Sequence, residues 1–295
     1  GQSLESILSR RVVWKKTSFK ATGEGENKVK PNLQNGIEKL LNDNIINPEM
    51  PARKIDNFIF EASDDPRITE LTFEAQYFGE DLYTIIHKLC AEHEIGFKVT
   101  LNDNGQFVFK LYKGLDRSYE QTVNPYVIFS PKYDNLISSN YLDSVQTFKN
   151  VALVAGESID DPENEDETIR ETYVVNTLSD ITGISRREVY VDASGVSRDT
   201  GEEEKLTEAQ YQAHLRQKGI DALIENSQIV AFEGEINDRI MYKYGQDYFL
   251  GDVVQIANEY GHEGQAYVSE FVMSHDQQGL SVYPTFINIQ KGVYE

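Results

Sequence analysis

Cysteine is almost absent from this sequence, which has only Cys90 among its 295 residues. A single cysteine excludes an internal disulfide, so nothing indicates an oxidising compartment. No apolar run reaches the roughly 20 residues that a membrane-spanning helix needs. The first residues also lack the basic head and apolar stretch of a secretory signal peptide. We therefore expect neither a signal peptide nor a membrane partner.

Basic residues are scarce as well. The 28 Lys and Arg residues face 49 Asp and Glu residues, so the net charge is −21. A surface of this sign repels nucleic-acid phosphates and anionic membranes, so we expect no affinity for nucleic acid. The simpler interpretation is a soluble acidic protein. A narrower one is that the acidic residues face a channel through which DNA slides without adhering.

Tryptophan occurs once, whereas tyrosine and phenylalanine occur 17 and 14 times. This aromatic usage is typical of a β-rich protein. The length favours two domains over one. The sequence starts Gly1-Gln2-Ser3 without a methionine, from which we expect a fragment whose first domain lies upstream.

The first half of the chain has the pattern of an α+β domain. Apolar residues at helical spacing predict one helix from Leu33 to Ile45 and a second from Leu82 to His93. Alternating apolar residues on both sides of Asn104-Gly105 predict a β-hairpin. We expect residues 1–30 to be the remnant of a β-rich domain with a loop, and residues 31–122 to be two helices packed on a small sheet.

The remaining residues, 123–295, predict a β-rich domain with one helix at 206–225. Glycine-aspartate in Tyr248–Ile256 bends the chain into a strand, and period-two strands separated by turns follow it. Asp160–Glu167 is predicted to be a solvated acidic loop. The expected fold is therefore α+β with mostly antiparallel strands, in which β-barrel-type tube domains accompany the α+β domain.

Residues with catalytic or metal-binding potential do not form a recognisable motif. His87 and His93 are six positions apart on one helix, so they cannot chelate a metal as an i, i+4 pair does. Cys90 lies on the same apolar stripe, where a thiol is usually inert. Asp160–Glu167 has the oxygen ligands of a divalent-cation site, but a solvated loop is the favoured interpretation. We predict no catalytic residue, no cofactor and no metal.

Two pairs of adjacent arginines, Arg10-Arg11 and Arg186-Arg187, occur in the acidic chain. One hypothesis is that they form salt bridges to a neighbouring acidic subunit. The favoured interpretation is ordinary surface arginine, because exposed pairs are common and weak.

Several strings in the chain fit one pattern: Ser3–Arg11, Ile45–Pro48 with Pro51–Arg53, Phe129–Pro131 with Asp134–Ser139, Lys149–Glu157, Arg186–Asp192 and Tyr248–Val254. Together they resemble a family of structural tail proteins from long-tailed phages and Gram-positive prophages. The resemblance extends from Ser3 to about Phe286 and is closest to baseplate hub proteins at the tip of the tail tube. The family usually has a β-rich segment before the first string, which agrees with a fragment.

The resemblance implies tube-like β-barrel domains with inserted α+β domains, arranged in a ring that is commonly a trimer. It also implies a virion protein made in the host cytoplasm, which joins the tube to the tip apparatus and contacts tube, tip and tape-measure proteins. Aromatic residues at interface centres would be Tyr242, Tyr244, Tyr248 and Phe249, with barrel core as the equal alternative. Other hypotheses are a wall-degrading enzyme and a module that binds host glycans.

Overall fold

The computed structural model describes residues 3–23, 25–161, 164–177, 181–201, 205–236, 241–258, 263–276 and 279–288. These residues form a mixed α+β structure in which strands predominate. The chain divides into two compact units: unit 1 comprises Gly1–Tyr112 and Lys149–Asn226, and unit 2 comprises Lys113–Phe148 and Ser227–Lys291. The three domain segments expected from the sequence stay a prediction.

The elements are numbered in chain order. The strands are β1 Thr17–Phe19, β2 Phe58–Glu61, β3 Ala75–Tyr77, β4 Gly96–Leu101, β5 Phe107–Tyr112, β6 Ile128–Phe129, β7 Leu136–Ser144, β8 Val151–Asp161, β9 Asn164–Asn176, β10 Glu188–Asp192, β11 Ile229–Ile236, β12 Val253–Ala257, β13 Glu263–Asp276 and β14 Gly279–Asn288. The α-helices are α1 Leu33–Leu41, α2 Pro66–Thr69, α3 Leu82–Glu92 and α4 Glu208–Glu225. Short 3₁₀ helices span Leu4–Arg10, Gly25–Asn27, Pro51–Arg53, Pro131–Tyr133 and Gly183–Ser185.

The N-terminal part of unit 1 packs two helices on a three-stranded sheet of order β2-β5-β4, as predicted. The side chain of Asn32 caps α1, and that of Asp81 caps α3. Helix α1 continues as a π-helical turn over Asn42–Ile46 and ends at Asn47, just before the proline that cannot extend it. The β4–β5 hairpin pairs residues 96–101 with 107–112, which confirms the predicted hairpin.

The β-favouring side chains of Val12–Trp14 and of Ile68–Ala75 predict two strands in this part, and both predictions are wrong. Val12–Trp14 forms only an isolated bridge, from Val12 to Asp81, and the strand lies later, at β1. The segment predicted as a strand from Ile68 to Ala75 begins as the helix α2. Its cap is Asp65, followed by a proline whose fixed φ suits the first helical position. Local capping therefore overrides the β-favouring side chains.

The second part of unit 1 is a three-stranded sheet of order β10-β8-β9 with α4 packed against it. The sequence predicts strands at 188–191 and 145–155. Strand β10 confirms the first, whereas the second begins six residues later than predicted, at Val151. The loop predicted at Asp160–Glu167 is wrong for its described residues, which extend the β8–β9 hairpin. Strand pairing therefore persists where composition indicated a loop.

Helix α4 confirms the predicted third helix, and its capping box at Thr207 and Gln210 is formed. Helical spacing predicts that its apolar face consists of Leu206, Ala209, Ala213, Ile220 and Leu223. This prediction is only partly right, because Ala209 is exposed while Tyr211 and His214 are buried. The reason is that α4 has two packed sides: one faces the β8–β9 sheet and the other faces α3 and β3. None of the helices in the described ranges has the length and apolar character needed to cross a membrane.

Unit 2 contains a six-stranded sheet of order β6-β12-β13-β14-β11-β7. Strands β12, β13 and β14 form the predicted antiparallel meander. Its core includes Phe129, Tyr248, Val268 and Phe286. Over the described residues the sheet has two ends, at β6 and β7, so the predicted closed barrel is not confirmed. The predicted turns around residues 259–262 and 277–278 lie outside the described residues.

The glycine of α4 gives a test of this packing. A methyl group at Gly219 would lie 2.5 Å from Cγ2 of Val175 and 3.0 Å from Cγ2 of Val154. Helix propensity alone makes Gly219→Ala stabilising by about 1 kcal/mol. We expect net destabilisation instead, because overpacking costs about 1–3 kcal/mol. Urea denaturation followed by circular dichroism measures the difference.

The matched control is the same substitution in a Val175→Ala background, where the smaller side chain at position 175 leaves room for the methyl group added at position 219. There we expect Gly219→Ala to be neutral or stabilising, which gives a coupling energy of about 1–3 kcal/mol. Equal effects of Gly219→Ala in both backgrounds would contradict the proposed contact.

Candidate functional site

The residues with catalytic potential are separated in the structure. Cys90 is buried in the core, and burial raises the pKa of its thiol well above the usual range. His87 stacks on Tyr83, and burial followed by the charge of Lys88 lowers the pKa of His87. His214 is fully buried, and its Nε2 lies 3.1 Å from the carbonyl oxygen of Phe19.

Other histidines and the acidic segment add no cluster. His262 lies outside the described residues, and His275 lies in β13. Over the ranges that the structure describes, no group of three or more His, Cys, Asp and Glu side chains is arranged to hold a metal ion. What the polar side chains form instead is a set of junctions between elements.

The aromatic residues predicted for an interface lie mainly in the core of unit 2. Tyr248 is fully buried, and its ring centroid lies 5.3 Å from that of Phe129. Tyr244 stacks on Phe271 with centroids 3.7 Å apart. Tyr242 packs against the same core, so of the four predicted residues only Phe249 is exposed. Core packing is thus the correct alternative for Tyr248.

A buried carboxylate, Asp252, joins the start of β12 to the preceding segment of unit 2. Its Oδ1 accepts from the backbone N–H of Leu115 at 2.7 Å. Its Oδ2 accepts from Nε of Arg117 at 2.7 Å and from the backbone N–H of Phe249 at 3.0 Å. Both charged side chains are at least nine-tenths buried. A buried charge requires such partners, so this carboxylate holds three pieces of chain together.

Glycines make the Asp252 junction geometrically possible. Gly251 has φ of +84°, a left-handed conformation that other residues adopt only with strain. A methyl group on Gly114 would lie 2.0 Å from the carbonyl oxygen of Gly251, so the two backbones touch directly. In the Gly-Asp pair found in the sequence, the glycine therefore makes a close backbone contact and the aspartate forms a buried ion pair.

A second junction in unit 1 gathers three carboxylates around Arg198. Its guanidinium nitrogens lie 3.1 Å from Glu157, 2.6 Å from Glu171 and 2.8 Å from Glu208. The same guanidinium lies 3.8 Å from the ring centroid of Tyr211. Burial lowers the pKa of Arg198, but the hydrogen bonds to Glu208, Glu171 and Glu157 together raise it above its usual range. This arginine thereby links both long strands, β8 and β9, to the first turn of α4.

A third junction is a polar seam between α3 and α4. Nε2 of Gln217 donates to Glu92 at 2.7 Å and to the buried Asp221 at 3.1 Å. Lys88 pairs with Glu225 across the same helices at 3.2 Å, and Lys218 pairs with Glu80. Polar side chains thus fill a helix contact that apolar residues fill elsewhere in the unit.

Two carboxylates of the α3–α4 seam have raised pKa values. Burial raises the pKa of Asp221 to about 6, although Lys218, Gln217 and Lys88 act in the opposite direction. Burial also raises the pKa of Glu92. Each acid therefore binds a proton more readily in the folded protein than in the unfolded chain.

The two arginine pairs have different kinds of partner in the structure. Arg186 pairs with Glu188 two residues along the chain, which agrees with ordinary surface arginine. Arg11 donates from Nε to the backbone oxygen of Arg53 at 2.8 Å, and the guanidinium of Arg53 lies over Trp14 at 4.9 Å. The sequence therefore identified Arg11 but not Arg53, whose position depends on the fold.

Sequence reasoning also missed Arg117, Arg198 and Gln217. Each is a single polar residue in an unremarkable string, and each has at least one partner far away along the chain. Only Asp252 had a local signal, the glycine before it in a turn that leads into a strand.

Comparisons with a family model and with solved structures both find matches. A family model described as Siphovirus ReqiPepy6 Gp37-like protein matches residues 1–286. The fold is similar to that of the 43 kDa tail protein of prophage MuSo2 from Shewanella oneidensis, with a TM-score of 0.53 and 11% sequence identity. That match covers 98% of this chain and 73% of the other.

Two further solved structures match with lower scores. The tail protein from Neisseria meningitidis MC58 has a TM-score of 0.46 at 12% identity, covering 98% of this chain and 73% of that one. Prophage tail protein gp18 from Listeria monocytogenes EGD-e has a TM-score of 0.43 at 15% identity, covering 97% and 71%. The search of curated proteins finds no match.

The Asp252 junction leads to a first test. Asp252→Asn keeps the size of the side chain but leaves the charge of Arg117 buried without a counter-charge. We expect a loss of about 3–5 kcal/mol in stability, measured by urea denaturation, with faster hydrogen exchange at residues 113–118 and 248–256. The control is Asp56→Asn, whose side chain is 88% exposed. Equal stability of the two variants would refute the junction.

The α3–α4 seam predicts a pH dependence. The raised pKa of Asp221 means that the folded state binds more protons than the unfolded chain between about pH 4 and pH 6. Stability should therefore fall as the pH rises through this window, by on the order of 1–3 kcal/mol.

Asp221→Asn should reduce that slope, because the amide does not titrate. Some slope should remain, since Glu92 acts with the same sign. Asp56→Asn is again the control and should retain the whole slope. Urea denaturation at several pH values measures it. An Asp221→Asn variant whose slope equals that of the wild type would contradict this assignment.

Proposed function

Because the chain belongs to the Siphovirus ReqiPepy6 Gp37-like protein family, we propose that it is a structural component of a phage tail tip. In this role it is a baseplate hub that links the tail tube to the tip apparatus. The observation that carries the proposal is the family match over residues 1–286. The fold shared with a prophage tail protein agrees with it.

The internal junctions support a structural role over an enzymatic one. Asp252, Arg198 and Gln217 each contact side chains or backbone groups of other elements within their own unit. Polar groups used in this way stabilise a scaffold. We propose that the protein is not an enzyme and that it acts by presenting surfaces for assembly.

The assembled state is part of the same proposal. We propose that copies of the chain form a ring, with three subunits as the expected number, in the virion tail. The open six-stranded sheet of unit 2 would supply the tube-type wall, and neighbouring tube, tip and tape-measure proteins would contact the ring. The net charge of −21 would keep DNA from adhering to its surface.

Deletion of the gene from the phage or prophage that encodes it tests the proposal. We expect capsids without functional tails, because tube and tip cannot be joined. Complementation with the wild type or with Asp56→Asn should restore infectivity, whereas Asp252→Asn should restore less. Immunogold labelling of wild-type virions should mark one end of the tail.

Virions that assemble and infect normally without the protein would contradict the proposed role. So would gold label that is absent from the tail. The two alternative functions have their own tests. A lysis band on a zymogram of bacterial cell wall would instead indicate a wall-degrading enzyme. A glycan-array signal that is lost on alanine substitution of exposed tyrosines would indicate a glycan-binding module.

A further inference from the structure

The single tryptophan of the chain lies on the surface of unit 1, among arginines. Trp14 is 55% exposed, and Met50 and Val12, whose backbone oxygens both accept from Arg53, are 49% and 40% exposed. Arg53 lies over the Trp14 ring, and Arg11 donates to the backbone oxygen of Arg53. We call these five residues the Trp14 patch. A large aromatic side chain with this exposure, next to other exposed apolar residues, is a feature of interaction surfaces.

Hydrogen bonds hold the Trp14 patch in a defined shape. Nη2 of Arg53 donates to the backbone oxygen of Val12 at 2.7 Å and to Oδ1 of Asn44 at 3.2 Å. The same Asn44 oxygen accepts from the backbone N–H of Trp14 at 3.2 Å. The guanidinium of Arg53 therefore stays over the indole ring, 4.9 Å from its centroid. A partner would meet a surface that is already ordered, which lowers the entropic cost of binding.

The charges of the patch are not neutralised within the described part of the chain. Arg11 and Arg53 donate there to carbonyl and amide oxygens, and neither forms an ion pair with a carboxylate. Burial lowers the pKa of Arg53, and the nearby charge of Arg11 lowers it further. Two guanidiniums thus stand close together without a counter-charge, in a chain whose acids outnumber its bases by 21.

From this patch we propose an interface: the Trp14 patch docks against an acidic face of a second copy of this chain. The inference rests on the proposed function, since it names the contact through which subunits of the tail ring would meet. Charge complementarity selects the occupant, because a copy of this chain carries the excess of carboxylates that the two guanidiniums lack. Tryptophan and arginine are also the residues most enriched among interface positions that dominate binding energy.

The positive charge of the patch also restricts the symmetry of the contact. A two-fold dimer that pairs the patch with itself would bring four guanidiniums together and would be repulsive. The patch must therefore meet a different surface of the next copy. Such a head-to-tail contact closes into a ring when the rotation between subunits permits it. The patch thus favours a cyclic assembly over a two-fold dimer.

Intrinsic fluorescence tests the proposal without any substitution, because Trp14 is the only tryptophan. The whole chain would be diluted from about 100 μM to below 1 μM, with light scattering measuring the mass at each step. At concentrations where the mass shows oligomers, we expect a blue-shifted emission and reduced quenching by acrylamide. Salt at about 1 M should dissociate the oligomer, because ion pairs at a partly exposed interface are screened.

Variants locate the contact. Trp14→Ala and Arg11→Glu should each weaken association by about tenfold or more, as truncation of a dominant interface residue does. Phe78→Ala is the control for Trp14→Ala, because Phe78 is also an aromatic residue of unit 1 and is 57% exposed. Lys132→Glu is the charge-matched control for Arg11→Glu. Both controls should associate like the wild type, and circular dichroism would verify that each variant is folded.

Three results would overturn the proposal. The first is an oligomer in which Trp14 remains fully accessible to acrylamide. The second is a chain that stays monomeric at every concentration. The third is protection of Trp14 by a short DNA duplex or by another tail protein, but not by higher concentration of the chain itself. In each case immunogold label on the tail would leave the proposed tail-tip role standing, although a chain that is monomeric at every concentration would also contradict the proposed ring. Loss of that label would contradict the tail-tip role separately.

Discussion

Buried carboxylates require cations or hydrogen-bond donors, and an acidic chain has few cations to supply them. This constraint explains how the few basic residues are placed inside the fold. Arg117 neutralises the buried Asp252 in unit 2, and Arg198 forms ion pairs with three glutamates in unit 1. Where a cation is not in direct contact, burial raises the pKa of the acid, as for Asp221. The two ion-paired junctions join segments that are distant in sequence.

The same constraint connects the fold to the proposed assembly. Most of the guanidiniums described above are paired with carboxylates of their own unit, but Arg11 and Arg53 are turned toward carbonyl and amide oxygens beside the exposed Trp14. In an acidic protein this arrangement leaves positive charge for a partner. A structural tail protein needs such surfaces more than it needs a reactive centre.

The sequence predicted α1, α3, α4 and the β4–β5 hairpin because their signals are local. Apolar spacing, a capping residue and a turn dipeptide lie within a few positions of one another. The failures have the opposite origin. Residues 160–167 look like a solvated loop by composition, yet strand pairing continues through those that the structure describes. The polar side of α4 looks exposed until α3 and β3 pack against it.

By itself, then, the sequence determined the fold class, the family resemblance and the absence of a recognisable catalytic motif, because each depends on composition or on contiguous strings. Only the tertiary structure decided that Tyr248 is core, that Arg117 binds Asp252 and that Arg53 covers Trp14. Arg117 and Asp252 are 135 residues apart in the chain. Burial and ion pairing of this kind arise from packing between elements, which no local pattern of residues specifies.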